Sequence, residues 1–310
     1  MSVKIFSGST HKNLSDSIAS LFKKKASPVR IERFPNSECK VTVSTNVQDD
    51  TCIVIQSTNA PTDENLMELV LFCDALKRSE ASRVIGVIPY MGYTRQDRQH
   101  AMGECVSINV VARILETIGF DKIYTVNMHS ESSAGIFTIP FKNIDATGYL
   151  AKQTFSYLKK NKIVRVASDC VIVAPDHGAI IQARHFAHSF DQKNPPRIAV
   201  VDKERKDKGS LTIHSMYGDT RGKVAILVDD VVVSGGTLLK SSEACMKQGA
   251  KSVFACTIHH DLTPGALSNI EKSGIIKLFT TDSIRQETQS ATLIEFPLAK
   301  LLSNELRHYF

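Results

Sequence analysis

The amino-acid sequence predicts an α/β protein with two domains, each a mainly parallel sheet flanked by helices. Short apolar runs rich in β-branched residues recur along the whole chain, and segments with helical spacing separate them. Parallel strands need long crossover connections, usually helices, so this alternation favours parallel sheets over hairpins. With 310 residues, the chain is also long enough to form two cores.

Eight runs have the length and the composition of buried strands. These runs are 3–8, 52–57, 83–90, 123–128, 170–175, 197–202, 224–229 and 252–259. Between the second and the third, apolar residues recur at spacings of three and four from Leu66 to Leu76, which predicts an amphipathic helix. The order of strands and helices predicts sheets with helices on both faces.

This pattern runs twice along the chain. Four strands end near residue 128, and four more begin near Cys170, with the helical stretch 147–162 between them. We therefore expect an N-terminal domain of residues 1–146 and a C-terminal domain of residues 147–310. The prediction leaves open whether the last helix packs on the first domain.

The composition favours a globular protein of the cytoplasm with no membrane segment. Hydrophobic residues make up 42% of the chain, no apolar run is long enough to span a bilayer, and the N-terminus lacks the apolar core of a signal peptide. Seven cysteines without a C-x-x-C pair predict reduced thiols rather than a zinc site or a disulfide framework. The net charge of +6 suits anionic substrates, but the dispersed basic residues and few aromatic residues argue against a nucleic-acid partner.

The stretch VAILVDDVVVSGGTLLKS, residues 224–241, joins a predicted strand to a predicted helix. Glycines at such a turn let the backbone approach an anion, and the N–H groups of the next helix point at it. The hydroxyls of Ser234 and Thr237 add donors, whereas Asp229 and Asp230 accept hydrogen bonds from a vicinal diol. These preferences describe a ribose phosphate. The alternative is an ordinary connection with a capping aspartate.

Other predicted strands also end in polar residues. Arg95, Gln96 and Asp97 follow the strand 83–90 and suit a polyphosphate and a base edge, or else form a solvated loop. His129 follows the strand 123–128, where a structural or surface histidine is the alternative to a ligand.

Three further segments follow strands of the second half. Asp176 lies in the stretch APDHGA, which is also a common capping arrangement. The charged run 202–210 is typical of a solvated loop. In residues 259–266, the adjacent histidines could bind a metal, but a surface turn is favoured.

Taken together and in this order, these stretches resemble the ribose-phosphate pyrophosphokinase family, also called phosphoribosyl pyrophosphate synthetases. The similarity covers nearly the whole chain and rests on KIFSGS (4–9), FPNSE (34–38), ENLMEL (64–69), YTRQD (93–97), KERK (203–206) and VAILVDD (224–230). The Asp-Asp and SGGT pattern also occurs in phosphoribosyltransferases. The KERK loop and the F-x-N-x-E stretch separate the kinase from them.

The resemblance implies two phosphoribosyltransferase-like domains and a homo-oligomer built from dimers, a hexamer in most members. It implies that ATP and ribose 5-phosphate, with Mg²⁺, give phosphoribosyl pyrophosphate and AMP. The positions matching the flexible catalytic loop of the family are Lys203 and Arg205. Those matching its metal contacts are His129, which also meets ATP, and Asp176, which also meets ribose 5-phosphate.

The remaining positions that the resemblance assigns are substrate contacts. ATP would meet Arg95, Gln96 and Asp97, and the adenine would meet Phe34, Asn36 and Glu38 of a neighbouring subunit. The ribose hydroxyls would meet Asp229 and Asp230, and the 5-phosphate would meet Ser234, Gly235, Gly236 and Thr237.

The sequence departs from the commonest family pattern at several charged positions. Asn127 and Val233 stand where many members have acids, and His100 and Gly103 stand for an aspartate and an arginine of the ATP-binding loop. One interpretation is an active synthetase of a divergent class. A non-catalytic, synthetase-associated regulatory subunit is the alternative, and a phosphoribosyltransferase is a more distant one.

Overall fold

The computed structural model describes residues 2–205, 211–285 and 290–310, and for residues 203–205 and 211–214 only the backbone. The chain divides into two compact units. Unit 1 comprises residues 1–145, 283–285 and 297–310, and unit 2 comprises residues 146–282 and 286–296.

Unit 1 is built on a five-stranded sheet in the order β1-β4-β5-β6-β7, in which all neighbouring strands are parallel. The strands are β1 Val3–Ser7, β4 Thr51–Ile55, β5 Arg83–Ile88, β6 Lys122–Val126 and β7 Phe141–Ile144. A separate antiparallel pair consists of β2, Arg30–Arg33, and β3, Cys39–Thr42. The helices are α1 (Lys12–Leu21), α2 (Thr62–Arg78), α3 (Ser107–Ile118) and α8 (Ala299–Leu306).

Apolar residues of the central strands and of α2 form the core of unit 1. All five residues of β4 are buried, as expected for a strand covered on both faces. On α2, the residues Leu69, Phe72, Cys73 and Leu76 are fully buried, which confirms the predicted amphipathic helix.

Unit 2 contains a seven-stranded sheet in the order β10-β9-β8-β11-β12-β13-β14, in which only the β9–β10 pair is antiparallel. The strands in chain order are β8 Cys170–Ala174, β9 Arg197–Arg205, β10 Leu211–Tyr217, β11 Val224–Val232, β12 Ser252–His260, β13 Ile275–Thr281 and β14 Leu293–Phe296. The helices are α4 (Thr147–Lys160), α5 (Ile180–Phe190), α6 (Gly236–Lys247) and α7 (Ala266–Glu271).

All eight predicted strands are present, and both sheets are mainly parallel, which confirms the predicted fold class. The strands β2, β3, β7, β10, β13 and β14 were not predicted. Four of these have only four residues, too few for a period to emerge from the sequence. None of the described helices combines the length and apolar character needed to cross a membrane.

Candidate active site

The carboxyl end of β11 brings two aspartates close to a glycine turn. This strand lies between β8 and β12, and its first five residues are buried. Asp229 and Asp230 lie further along it and are partly exposed. The chain then passes through Ser234 and Gly235 and enters α6 at Gly236. Because both neighbouring strands run parallel to β11, this is the edge at which open α/β sheets bind ligands.

The turn before α6 has a backbone conformation that favours glycine. Gly235 has a φ of +77°, and a Cβ atom at this position would lie 3.3 Å from Cγ1 of Ile270. The hydroxyl of Ser234 accepts a hydrogen bond from the backbone N–H of Gly236 at 3.5 Å. Because α6 begins here, the positive end of its dipole lies at the turn, which suits a phosphate group.

Three carboxyl groups of unit 2 influence one another. The pKa of the Asp229 carboxyl is raised well above its ordinary value, first by its removal from water and then by the neighbouring carboxylates of Asp230 and Asp176. The backbone N–H of Asp230 donates to Oδ1 of Asp229 at 3.1 Å. This cluster of three carboxyl groups favours a ligand that supplies a positive charge or hydroxyl donors.

Asp176 follows β8, the strand next to β11. Its Oδ1 accepts a hydrogen bond from the backbone N–H of Ala179 at 3.1 Å, just before α5 begins. This bond closes the turn that leads into α5, but it reaches the residue before the helix, and no side chain that the structure describes caps the helix itself. The same carboxylate also lies close enough to raise the pKa of Asp229.

A carboxylate makes side-chain contacts in the middle of the β9–β10 hairpin. Asp202 contacts Nε2 of His177 through Oδ1 at 3.2 Å and accepts a hydrogen bond from the hydroxyl of Ser215 through Oδ2 at 3.4 Å. The next residue is Lys203, and the backbones of Lys203 and Arg205 both lie in β9 and pair with β10. Their side chains lie outside the described residues.

In unit 1, the tip of the β2–β3 hairpin forms a compact turn. The backbone N–H of Phe34 donates to the carbonyl of Glu38 at 2.9 Å, and that of Ser37 donates to the carbonyl of Phe34 at 2.8 Å. The amide oxygen of Asn36 accepts a hydrogen bond from the backbone N–H of Glu38 at 3.3 Å. The side chains of Phe34, Asn36 and Glu38 are exposed, as a ligand contact requires.

The other nucleotide candidates of unit 1 follow the adjacent strands β5 and β6. Arg95 and Gln96 are exposed and Asp97 is partly exposed, and the hydroxyl of Ser107 donates to the side-chain oxygen of Gln96. His129 is exposed three residues beyond β6. The parallel register of β5 and β6 thus places both segments at one edge of the sheet.

Asn127, at which the sequence departs from the commonest family pattern, lies two residues before His129. This residue has a φ of +38°, a conformation that asparagine tolerates better than most residues, and its Nδ2 donates to Oδ1 of Asp145 at 3.3 Å. The next backbone N–H, that of Met128, donates to Oδ1 of Asn143 at 2.9 Å. Side chains of the β7 segment therefore shape this loop.

The surface turn predicted for residues 259–266 is wrong at its beginning. His259 and His260 are the last residues of β12 and are buried, with exposed fractions of 3% and 4%. Nε2 of His260 lies 2.9 Å from Oε1 of Glu295 in β14. The strand runs longer than its apolar pattern because these histidines find partners in the fold. Among the side chains that the structure describes, no group of three or more histidines, cysteines or acids is arranged to hold a metal ion.

One contact at the glycine turn had no signal in the sequence. The backbone N–H and the hydroxyl of Thr263 both donate to the carbonyl of Val233, at 3.1 and 3.4 Å. The loop after β12 therefore holds the residue immediately before Ser234.

Models of known protein families match both halves of the chain. A model described as the N-terminal domain of ribose phosphate pyrophosphokinase matches residues 3–119, and a phosphoribosyl transferase domain model matches residues 142–284. The ribose-phosphate pyrophosphokinase of Agrobacterium fabrum is 34% identical over 286 residues, which are 92% of this chain and 89% of that protein. The chain belongs to the ribose-phosphate pyrophosphokinase family.

A second member of the ribose-phosphate pyrophosphokinase family, from Vibrio vulnificus, is 34% identical over 309 residues, covering 98% of this chain and 95% of its own. The crystal structure of phosphoribosylpyrophosphate synthetase from Mycobacterium smegmatis superposes with a TM-score of 0.89 and 28% identity, covering 99% of this chain and 98% of its own. The similarity to the ribose-phosphate pyrophosphokinase family therefore extends over both units.

Proposed function

We propose that this protein is an enzyme that transfers the pyrophosphate group of ATP to the C1 hydroxyl of ribose 5-phosphate, giving phosphoribosyl pyrophosphate and AMP. The observation that carries the proposal is the carboxyl end of β11, where Asp229 and Asp230 precede a left-handed glycine turn at the N-terminus of α6. Membership of the family, over both units, supports the same reaction.

Ribose 5-phosphate fits this strand end in one orientation. The 5-phosphate would bind at the turn, where Ser234, Gly235, Gly236 and Thr237 offer hydroxyls and the end of a helix dipole. The carboxylates of Asp229 and Asp230 would repel a phosphate but accept hydrogen bonds from the ribose hydroxyls. The sugar is thereby oriented with its two polar ends at different groups of the protein.

ATP would bind at the residues assigned in unit 1. Arg95 offers a planar fork for phosphate oxygens, and Gln96 and Asp97 offer polar groups to the nucleotide, with His129 at the next strand end. The exposed tip residues Phe34, Asn36 and Glu38 would reach the adenine of ATP on a neighbouring subunit. This arrangement requires a homo-oligomer built from dimers, which we propose as the active form.

In the reaction, the C1 hydroxyl attacks the β-phosphorus of ATP in line, loses its proton, and AMP leaves. Negative charge develops on the phosphoryl oxygens and on the leaving phosphate, so catalysis depends mainly on positioning and on positive charge. Lys203 and Arg205 are the residues that we propose to supply this charge from the β9–β10 hairpin. The guanidinium is suited to two phosphate oxygens, whereas the ammonium is a mobile point charge.

The carboxylates of unit 2 fit a magnesium ion. Mg²⁺ prefers oxygen ligands, keeps several waters and is usually held by one or two carboxylates together with substrate phosphates. The pKa of Asp229 is raised first by its removal from water and then by the carboxylates of Asp230 and Asp176, and a bound cation would offset this local negative charge. Asp176 is the candidate contact in unit 2, and His129 is the candidate in unit 1, directly or through water. The ion would neutralise phosphate charge during the transfer. For the location, we propose the cytoplasm, since all seven cysteines are free thiols.

The first experiment mixes the purified protein with ATP, ribose 5-phosphate and Mg²⁺, with and without inorganic phosphate, and measures AMP and phosphoribosyl pyrophosphate together. We expect equal amounts of both products. Lys203→Ala should lower kcat by roughly 10²–10³-fold while leaving ribose 5-phosphate binding nearly unchanged, because the contact belongs to the transition state. The control Lys152→Ala removes an exposed lysine from α4 and should keep full activity.

Other outcomes separate the alternatives. If neither product appears although ribose 5-phosphate or an active synthetase binds, the protein is a regulatory subunit, and the departures at Asn127 and Val233 are the first cause to test. Transfer of a ribosyl group from phosphoribosyl pyrophosphate to a base would instead identify a phosphoribosyltransferase.

A further inference from the structure

A buried carboxylate of α2 lies beneath the β2–β3 hairpin. Glu68 has an exposed fraction of 0%, and four donors satisfy its oxygens. The backbone N–H and the hydroxyl of Ser9 each donate at 2.8 Å, and Nε2 of Gln56 donates at 3.0 Å. The fourth donor is Arg33 of the hairpin. Because a buried charge is strongly destabilising without partners, these donors belong together as one network.

The network extends into the turn after β1. Oε1 of Gln56 accepts hydrogen bonds from the backbone N–H and the hydroxyl of Thr10 at 3.1 and 2.8 Å. A Cβ atom at Gly8 would lie 2.1 Å from the same oxygen, so a larger residue here would displace the amide of Gln56. Glu68 is thus fixed by the body of unit 1, independently of the hairpin.

Arg33 connects the hairpin to this fixed point. Its Nη2 lies 3.4 Å from Oε2 of Glu68, and its Nη1 lies 3.3 Å from Oε2 of Glu64. Nη2 also donates to the backbone carbonyl of Glu64 at 3.3 Å. Glu64 and Glu68 are four residues apart and therefore share one face of α2, so that a single guanidinium contacts both.

The position of Arg33 gives this contact its significance. Arg33 is the last residue of β2 and pairs with Cys39, the first residue of β3, so the two residues form the base of the turn 34–38. Further from the tip, Ile31 and Val41 pack against the core of unit 1. A two-stranded sheet is marginally stable by itself, so the tip depends on the contact nearest to it.

We propose that Arg33 is a positioning residue for nucleotide recognition: by pairing with Glu64 and Glu68, it holds the turn 34–38 in the geometry that meets an adenine nucleotide. This role rests on the proposed function in one respect, the contact of Phe34, Asn36 and Glu38 with ATP. Arg33 itself touches neither substrate.

Arg33→Gln tests the role, and Arg30→Gln is the matched control. Arg30 lies on the same strand, but its partner is Glu32 of the hairpin itself, and its side chain is 73% exposed. Arg33→Gln should raise the KM for ATP by roughly tenfold, with kcat and the KM for ribose 5-phosphate changed by less than about twofold. Arg30→Gln should change none of them. Arg33→Lys should recover the ATP affinity only in part, since an ammonium cannot span both carboxylates.

Substitution of Glu68 is less informative, because it leaves the donors of Ser9 and Gln56 buried without an acceptor and endangers folding. Hydrogen exchange of the nucleotide-free protein provides the second measurement. In Arg33→Gln, the amides of Phe34 and of residues 36–39 should exchange several-fold faster than in wild type, and those of α3 should be unchanged.

The outcomes separate this inference from the proposed reaction. If wild type makes no phosphoribosyl pyrophosphate, the proposed function fails, and calorimetric ATP binding replaces the KM comparison. An unchanged ATP affinity in Arg33→Gln, or no ATP binding by wild type, overturns the positioning role. A parallel loss of kcat, of both substrate affinities and of thermal stability overturns it as well, because it indicates a structural role.

Discussion

At the scale of single residues, one backbone angle shapes the proposed phosphate site. Gly235 combines a positive φ with a close neighbour, Ile270, whereas the adjacent Gly236 has neither constraint: a Cβ atom there would lie 3.7 Å from the hydroxyl of Ser234, an ordinary contact. Of these two glycines, the fold therefore requires only the first. Its left-handed conformation favours glycine at residue 235, whereas an alanine side chain fits at residue 236.

Gly235→Ala should lower the free energy of unfolding by about 1 kcal/mol or more, because alanine is strained in the left-handed region. Gly236→Ala should change it by less than about 0.5 kcal/mol, because alanine is a good helix former. Urea unfolding of both variants and of wild type measures the difference. Equal destabilisation by the two substitutions would contradict this account of the turn.

Asp50 links acid stability to a local contact of unit 1. Its Oδ1 accepts a hydrogen bond from the backbone N–H of Ser2 at 2.6 Å, and its Oδ2 lies 3.0 Å from Nζ of Lys4. The hydrogen bond from Ser2, followed by the contact with Lys4, lowers the pKa of Asp50 to about 2 despite partial burial. A carboxyl group with a lowered pKa in the folded state stabilises the fold while it is ionised.

This stabilisation should be fully present above about pH 4, the ordinary range of an unfolded aspartate, and should disappear as the pH falls towards 2. Wild type should therefore be more stable than Asp50→Asn at pH 6, and the difference should shrink steadily between pH 4 and 2. Urea unfolding at a series of pH values provides the test. A difference that stays constant across this range would show that the charge of Asp50 contributes nothing.

At the scale of elements, side-chain hydrogen bonds and ion pairs connect the beginnings of strands to a neighbouring helix. Oδ2 of Asp121 accepts a hydrogen bond from the backbone N–H of Val84 at 2.7 Å and lies 2.8 Å from Nζ of Lys77. One carboxylate thus joins the end of α2, the start of β5 and the start of β6. The ion pair of Asp74 with Arg78 on α2 is a contrast, because both side chains are exposed and belong to one helix.

Asp121→Ala should destabilise the protein by about 1–3 kcal/mol, because it leaves a backbone N–H of a buried strand without its acceptor. Asp74→Ala should cost less than about 0.5 kcal/mol, since exposed ion pairs contribute little. Both values come from urea unfolding. A similar cost for the two variants would mean that the bridge to β5 is unimportant.

At the scale of the whole molecule, the chain returns to unit 1 for its last helix. Residues 297–310 belong to unit 1, where α8 packs against α1, Phe310 stacks on Phe22 with ring centroids 3.8 Å apart, and Glu305 pairs with Lys142. Leu302 is 1% exposed in this helix. The stability of unit 1 therefore depends on a segment that follows unit 2 in the sequence.

Leu302→Ala should destabilise unit 1 by about 2–4 kcal/mol through the lost apolar contacts and the cavity that remains. Amides of α1 should then exchange faster, whereas those of β12 in unit 2 should be unaffected. Leu21→Ala is the control, because Leu21 is 54% exposed and its truncation should have little effect. Faster exchange in β12 as well would show that the two units unfold together.

The sequence alone determined the elements whose pattern is local. An apolar run between turns predicts a buried strand wherever it occurs, so all eight strands, the parallel sheets and the position of Asp229 and Asp230 at a strand end could be predicted. The hairpin β2–β3 could not, because its four-residue strands RIER and CKVT are mostly polar. The assignment of individual side chains to substrates came from the resemblance and stays a prediction.

Only the tertiary structure decided which distant residues meet. Arg33 and Glu68 are 35 positions apart, as are His260 and Glu295, and Thr263 holds Val233 from another loop. A polar residue in the sequence looks the same whether it is solvated or buried with a partner. The difference depends on the path of the chain, which brings donors and acceptors together after the strands have assembled, and local periodicity carries no record of that path.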